Sequence, residues 1–279
     1  MNFEVTSFTN CIATVDLVNA NKLAWEKKLE YDVNSDYYDL QSFRNGASTL
    51  YEIERAELLD FKDKRLLHFQ CYFGLDTMSF LRLGASNVVG LDFSSPAINF
   101  ARNLASELNL NAEFYVNNIL DDEIKEIGKF DIVFCSYGSF CWLPDLQAVA
   151  KKAFHYLKPG GVFYVVDFHP LVYATGLMKS PELKYPYDNS IPFCADWTGT
   201  YADSTAPIQT KEYYWNHSIS EIINTFKKNS FSIEFLNEHL CVPQNWFFNL
   251  IKNPKGYYSS KFNNIHHQTP LLFSMLAKK

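Results

Sequence analysis

The chain has 279 residues, 47% hydrophobic and 16% aromatic, enough to bury a substantial core in one large domain or two small ones. A net charge of −6, with the pairs Lys27-Lys28, Lys151-Lys152 and Lys227-Lys228 dispersed as solvated helix faces, argues against a surface built to neutralise nucleic-acid phosphates. Six cysteines include no Cys-x-x-Cys pair and hence no zinc spacing; Cys71, Cys135 and Cys141 sit in or beside apolar runs and read as buried thiols of a reducing compartment.

Residues 1–63 read as an N-terminal helical cap segment. They lack a basic-then-apolar signal pattern, and no apolar run in the chain approaches the ~18 residues of a membrane span. The expectation is a cytoplasmic protein without membrane contact. From Lys64 onward short apolar strands alternate with helices. "RLLHFQC" is a first strand, followed by a helix over "LDTMSFLRLGA" that Gly84 stops. "NVVGLDF" is a second strand. Ser94 or Ser95 then caps a helix with Pro96 in its first turn and Ala97, Ile98, Ala101, Leu104, Ala105 and Leu108 on one face. "AEFYV" and "FDIVFCSY" are the third and fourth strands. The helix "LPDLQAVAKKAFHYL" ends at "KPGG", which turns into a fifth strand, "VFYVVDF". Near-continuous apolar strands separated by helices predict a doubly wound, Rossmann-like parallel sheet, an α/β fold.

The alternation breaks after His169-Pro170. Residues 170–217 are rich in proline, tyrosine and threonine, and read as a lid-like insertion over the sheet. Ser218 and Glu221 then form a capping box that opens "ISEIINTFKKN". "FSIEFLNEH" is a sixth strand and "PLLFSMLAKK" supplies the last, so that 64–279 form one domain.

Ligands of such sheets bind at the carboxyl ends of the strands, where strand order reverses. The loop after the first strand lies in "LLHFQCYFGLDT", residues Leu66 to Thr77, and keeps a single glycine, Gly74. A pyrophosphate needs several glycines to approach the backbone, so Gln70 and Tyr72 serve a dinucleotide poorly. A ligand with a ribose but no phosphate, such as S-adenosylmethionine, asks less of the loop.

Five motifs occur in order: Gly74 in the first loop, Asp92 in "VVGLDFS", Asn118-Ile119 in "VNNIL", "FDIVFCSYG" and "LKPGGVFYVVDF". On these motifs, residues Lys64 to Phe168 resemble class I S-adenosylmethionine-dependent methyltransferases. The resemblance implies seven strands in the order 3-2-1-4-5-7-6, with the last strand antiparallel. It implies that Asp92 accepts both ribose hydroxyls and that Asn118 and Ile119 lie beside the adenine. It also implies a cofactor shell of Gln70, Phe73, Gly74, Thr77, Phe93, Ser94, Ser136, Tyr137 and Gly138. Arg44 is either a surface arginine or a bidentate partner of the methionine carboxylate. The departures from the pattern are His68 for the first-strand acid, Gln70 and Tyr72 for glycines, and Asn118 for aspartate. His68 reads as a neutral core histidine.

The expected activity is methyl transfer to a small-molecule acceptor, with proximity as the main driver and a base only where the acceptor must lose a proton. His169, just past the fifth strand, is the first candidate as base, and Tyr137 is the second catalytic candidate, as an orienting hydroxyl. No metal site and no nucleic-acid partner are expected. The alternative is a non-catalytic methyltransferase-like module that binds the cofactor, or nothing, and acts through interactions.

Overall fold

The computed structural model describes residues 14–58, 61–180, 182–188, 191–262, 265–266 and 269–279; Cys11 and the start of the cap segment lie outside the described residues. Five strands form in the predicted places: β1 (Arg65–Phe69), β2 (Asn87–Asp92), β3 (Ala112–Val116), β4 (Phe130–Cys135) and β5 (Leu157–Phe168). Pairing is parallel throughout this set, with Leu66 opposite both Val88 and Ile132. The Pro-Gly-Gly turn is an excursion within β5. Leu157 pairs with Phe130, Gly160 turns at φ 77°, and pairing resumes at Val162 opposite Ile132.

The intervening helices are α4 (Leu75–Arg82), α5 (Ser95–Glu107) and α6 (Leu146–Tyr156). Local chemistry starts each of them. The Ser94 hydroxyl accepts from Ala97 N at 3.3 Å with Pro96 in the first turn, and Asp145 accepts from Gln147 N and Ala148 N. Alternate strand residues serve opposite faces. Leu67, Val89, Val133 and Phe163 pack against Val149 of α6, whereas Leu66, Val88, Phe134 and Tyr164 pack against Phe80 of α4.

Beyond β5 come α7 (Pro170–Ala174), the hairpin β6 (Phe193–Thr198) and β7 (Gln209–Tyr214), α8 (Ile219–Lys228) and β8 (Ser232–His239). Ser218 does cap α8 by accepting from Glu221 N at 3.2 Å. The Glu221 carboxylate takes His217 Nδ1 as its partner at 3.0 Å. A small antiparallel sheet then follows, made of β9 (Cys241–Val242), β10 (Leu250–Lys252), β11 (Tyr258–Phe262) and β12 (Ile265–His266). β13 (Leu272–Lys278) pairs antiparallel with both β5 and β8, which completes the order β3-β2-β1-β4-β5-β13-β8. In order of strands within this sheet, that is the expected 3-2-1-4-5-7-6.

The N-terminal segment is helical: α1 (Thr14–Asp32), α2 (Leu40–Arg44) and α3 (Glu52–Glu57). α1 docks on the hairpin. Asn21 bonds both backbone groups of Tyr213 at 2.7 and 2.8 Å, and Lys28 pairs with Glu212 at 2.5 Å where both are buried. Among the described residues no helix is long and apolar enough to cross a membrane.

Candidate active site

A cavity of about 550 Å³ opens above the carboxyl ends of β1, β2 and β4. Three segments close it. α1 and the following loops contribute Trp25, Tyr38 and Tyr51, the hairpin contributes Trp197, Tyr201 and Tyr214, and the loop before β10 contributes Gln244, Trp246 and Phe247.

The first loop answers the puzzle of its missing glycines. Gln70 and Tyr72 hold φ at 55° and 51°, and Gly74 at 81°, so the loop is wound left-handed without glycine at two of the three positions. That conformation costs an L-residue ~1–2 kcal/mol. Contacts hold Tyr72 there: its N–H donates to Asp92 Oδ2 at 2.9 Å, its hydroxyl donates to Asp32 Oδ2 at 2.9 Å, and its ring meets Trp25 edge-on at 4.9 Å. Gln70 lines the cavity, and its side-chain carbonyl oxygen is buried without a hydrogen-bond partner. Gly74 is required by packing as well as by φ. A Cβ there would lie 2.4 Å from Phe114 Cε1 and 3.2 Å from Ala101 Cβ, so α4 and β3 could not approach as they do.

Asp92 ends β2 and lines the cavity. Oδ1 accepts from Ser94 N at 2.8 Å and Oδ2 from Tyr72 N, which leaves each oxygen a further lone pair. Burial pushes its carboxyl up to about 6. A second carboxylate, Asp76 in the first turn of α4, was not read from the sequence. It lines the same cavity and accepts from the Thr49 hydroxyl at 2.5 Å; burial raises it to about 6 against the pull of the Thr49 and Ser136 hydroxyls. Phe73 and Phe93 line the cavity, as do Asn118 and Ile119. The Asn118 loop is tied down from α6, where the buried Lys152 ammonium donates to Asn117 Oδ1 and Asn118 O at 3.3 Å each and to Asp121 O.

After β4, Ser136, Tyr137 and Gly138 all line the cavity. The turn is pinned by Asp167, which accepts from Gly138 N at 2.5 Å, Ser139 N at 3.1 Å and Phe140 N at 2.8 Å. Tyr137 donates to Glu54 Oε2 at 2.7 Å, and Glu54 Oε1 accepts from Tyr51 N at 2.9 Å. Glu54 is fully buried, and desolvation raises its carboxyl to about 7 despite those hydrogen bonds. A sequence signal for it existed: Leu50, Glu54 and Leu58 recur every four residues, and all three are buried. His68 is the neutral core histidine expected, pushed down to about 3 by burial, with Nδ1 2.8 Å from Thr77 Oγ1 and Nε2 3.2 Å from Ser136 Oγ.

Four expected site residues lie off the cavity lining. His169 is turned away because Pro170 makes it the cap of α7: Nδ1 accepts from Leu171 N at 3.2 Å and Nε2 meets Glu238 Oε1 at 2.8 Å. Arg44 is on the surface, paired with Glu107 at 2.8 Å. Thr77 points into the core at His68, and Ser94 is consumed in capping α5. Among the described lining residues Lys28 is the only lysine or arginine, and Glu212 neutralises it.

Residues 66–161 match the family model described as "Methyltransferase domain". A methyltransferase of Synechocystis described as uncharacterized is 30% identical over 125 residues, 44% of this chain and 56% of that protein. A ubiquinone biosynthesis O-methyltransferase of Escherichia coli is 29% identical over 159 residues, 54% of this chain and 65% of that protein. The chain thus spans less than two thirds of the length of either relative. Among solved structures, an S-adenosylmethionine-dependent methyltransferase of Clostridium acetobutylicum aligns with a TM-score of 0.56 at 16% identity, over 93% of this chain and 98% of that one. One from Mesorhizobium loti gives 0.56 at 17% identity, over 85% of this chain and all of that one. These two share the fold.

Proposed function

We propose, from the premise that residues 66–161 form the methyltransferase domain of a class I S-adenosylmethionine-dependent methyltransferase, that the cavity binds that cofactor and transfers its methyl group to a small-molecule acceptor. The observation that carries this reading is the pairing of Asp92 at the end of β2 with the unpartnered Gln70 carbonyl in one cavity. A buried acceptor without a donor is costly, so the pair fits a ligand that brings hydroxyl or N–H groups. Asp92 would hold the ribose hydroxyls, Asn118 and Ile119 the adenine edge, and the loop from Gln70 to Gly74 the remainder. When bound, the cofactor supplies a methyl group on a positively charged sulfur, so the leaving group needs no acid.

The chain's own work is then to exclude water and hold the acceptor in line, which can contribute ~7–11 kcal/mol. α1, the hairpin and the Trp246 loop stand where a cap would, and in this reading residues 1–63 and 170–217 act together as a cap on 64–279. The described cysteines are free thiols, which fits a cytoplasmic location. Titration calorimetry with S-adenosylhomocysteine tests the reading. Wild type should bind, and Asp92→Ala should bind at least tenfold more weakly, since each charge-assisted bond contributes ~1.5–3 kcal/mol. No binding by a folded wild type would favour the non-catalytic module instead.

A further inference from the structure

We propose that Tyr137 and Glu54 form a proton relay, and that the acceptor of this cavity is a neutral, planar phenol whose hydroxyl proton enters that relay; the inference rests on the methyl-transfer reading above. In the step, the phenol oxygen bonds the methyl carbon as the carbon–sulfur bond breaks and its electron pair stays on sulfur. The phenol proton passes to Tyr137 Oη while the Tyr137 proton passes to Glu54 Oε2. The products are a methyl aryl ether, S-adenosylhomocysteine and a neutral Glu54, which returns its proton to solvent.

Geometry selects Tyr137. It leaves β4 at the cavity wall, Asp167 fixes its turn, and its hydroxyl already donates to Glu54 at 2.7 Å, the arrangement a two-step transfer needs. The other candidates are committed elsewhere. Both ring nitrogens of His68 are engaged by hydroxyls, and His169 is spent on α7 and Glu238. Among the described residues, the titratable groups that face Glu54 are Tyr137 from the β4 turn, Asp76 from α4, Tyr51 at the N-cap of its own helix, Tyr164 from β5 and Tyr257 before β11. None is a cation, so Glu54 is held near 7 by burial and can exchange a proton at neutral pH.

The walls select the substrate. Tyr51 and Trp246 stand 5.5 and 4.9 Å from the Tyr137 ring, with Phe168 and Phe247 behind, and these faces suit a flat ring. A carboxylate or phosphate acceptor would find no unpaired lysine or arginine among the described lining residues. A phenol, with an ordinary pKa near 10, is within reach of a base near 7; an aliphatic alcohol is far out of reach.

The test uses the full chain with S-adenosylhomocysteine and a set of para-substituted phenols from 4-methoxyphenol to 4-nitrophenol, with aliphatic alcohols and amines in parallel. Calorimetry comes first. Wild type and Glu54→Gln should bind S-adenosylhomocysteine within about threefold of each other, because the glutamine oxygen can still accept from Tyr51 N while its amide donates to a reversed Tyr137 hydroxyl. Wild type should methylate phenols with kcat rising through about pH 7. Glu54→Gln should lose that pH limb and about 10²–10⁴-fold in kcat, and the most acidic phenols should recover the most. Tyr137→Phe should show the same loss. The relay is overturned if Glu54→Gln keeps the wild-type rate and pH profile. The substrate class is overturned if the protein binds S-adenosylhomocysteine yet methylates only alcohols or amines, and failure to bind removes the methyl-transfer reading itself.

Discussion

Gln70 is held in a left-handed conformation with an unsatisfied carbonyl, and both features should vanish in Gln70→Gly. Relief of the left-handed strain contributes ~1–2 kcal/mol, and the added freedom of glycine in the unfolded chain takes back ~0.5–1 kcal/mol. The two offset in large part, so the net effect is set mainly by the carbonyl. Removing a buried acceptor that has no donor contributes ~1–3 kcal/mol. The ligand-free variant should therefore be more stable than wild type by about that amount, or roughly 2–4 °C in Tm for each kcal/mol in a protein of this size. Cofactor binding should move the other way. Loss of one neutral hydrogen bond of ~0.5–1.5 kcal/mol would weaken S-adenosylhomocysteine binding roughly 2- to 10-fold. Urea unfolding without ligand and titration calorimetry on the same preparations give both numbers. A variant that is less stable and binds as tightly as wild type would refute the argument, because Gln70 would then be a structural residue with no ligand to meet.

Burial holds Asp76 near 6 against an unfolded value of 3.8, so the folded protein keeps a proton that the unfolded chain releases between about pH 4 and 6. Stability from this group is present below that window and lost as pH rises through it; ligand-free Asp76→Asn should match wild type near pH 4 and exceed it at pH 8 by up to ~3 kcal/mol, as read by urea melts. Lys152→Met keeps the buried stem but removes the donor shared by Asn117, Asn118 and Asp121. With the Asn118 loop, proposed to lie beside the adenine, released, S-adenosylhomocysteine affinity should fall roughly 3- to 10-fold in calorimetry, alongside a loss of ~1–3 kcal/mol in unfolding free energy.

The sheet was legible because its central strands are buried on both faces, so that apolar runs such as "FDIVFC" and "VFYVV" announce themselves. Asp92 was legible for a related reason: a carboxylate closing such a run stands at the edge where ligands bind. The small sheet from Cys241 to His266 was missed because three of its four strands are only two or three residues long, too short for any period to register. His169 was misplaced by an argument that stopped at the end of the strand. The proline after it starts a helix, and a cap spends its side chain on the backbone. Glu54 has no motif, and only its four-residue spacing from Leu50 and Leu58, which flank a six-residue helix, marks it as buried. The left-handed winding of Gln70 and Tyr72 could not be read from side chains that ordinarily avoid it.

The position of β13 between β5 and β8 sets an order of assembly. Leu272 to Lys278 fill the gap in the sheet, so the long edge of β5 at Val162–Val166 stays unpaired until they arrive. Phe168 and Leu272 are separated by 104 positions, which at ~5–20 residues per second of synthesis is roughly 5–20 s. For that interval the nascent chain carries an open edge of Val-Phe-Tyr-Val-Val, a β-branched and aromatic run without charge or proline. Expression yield should therefore respond to chaperone supply and to growth temperature more than the stability of the finished fold would suggest.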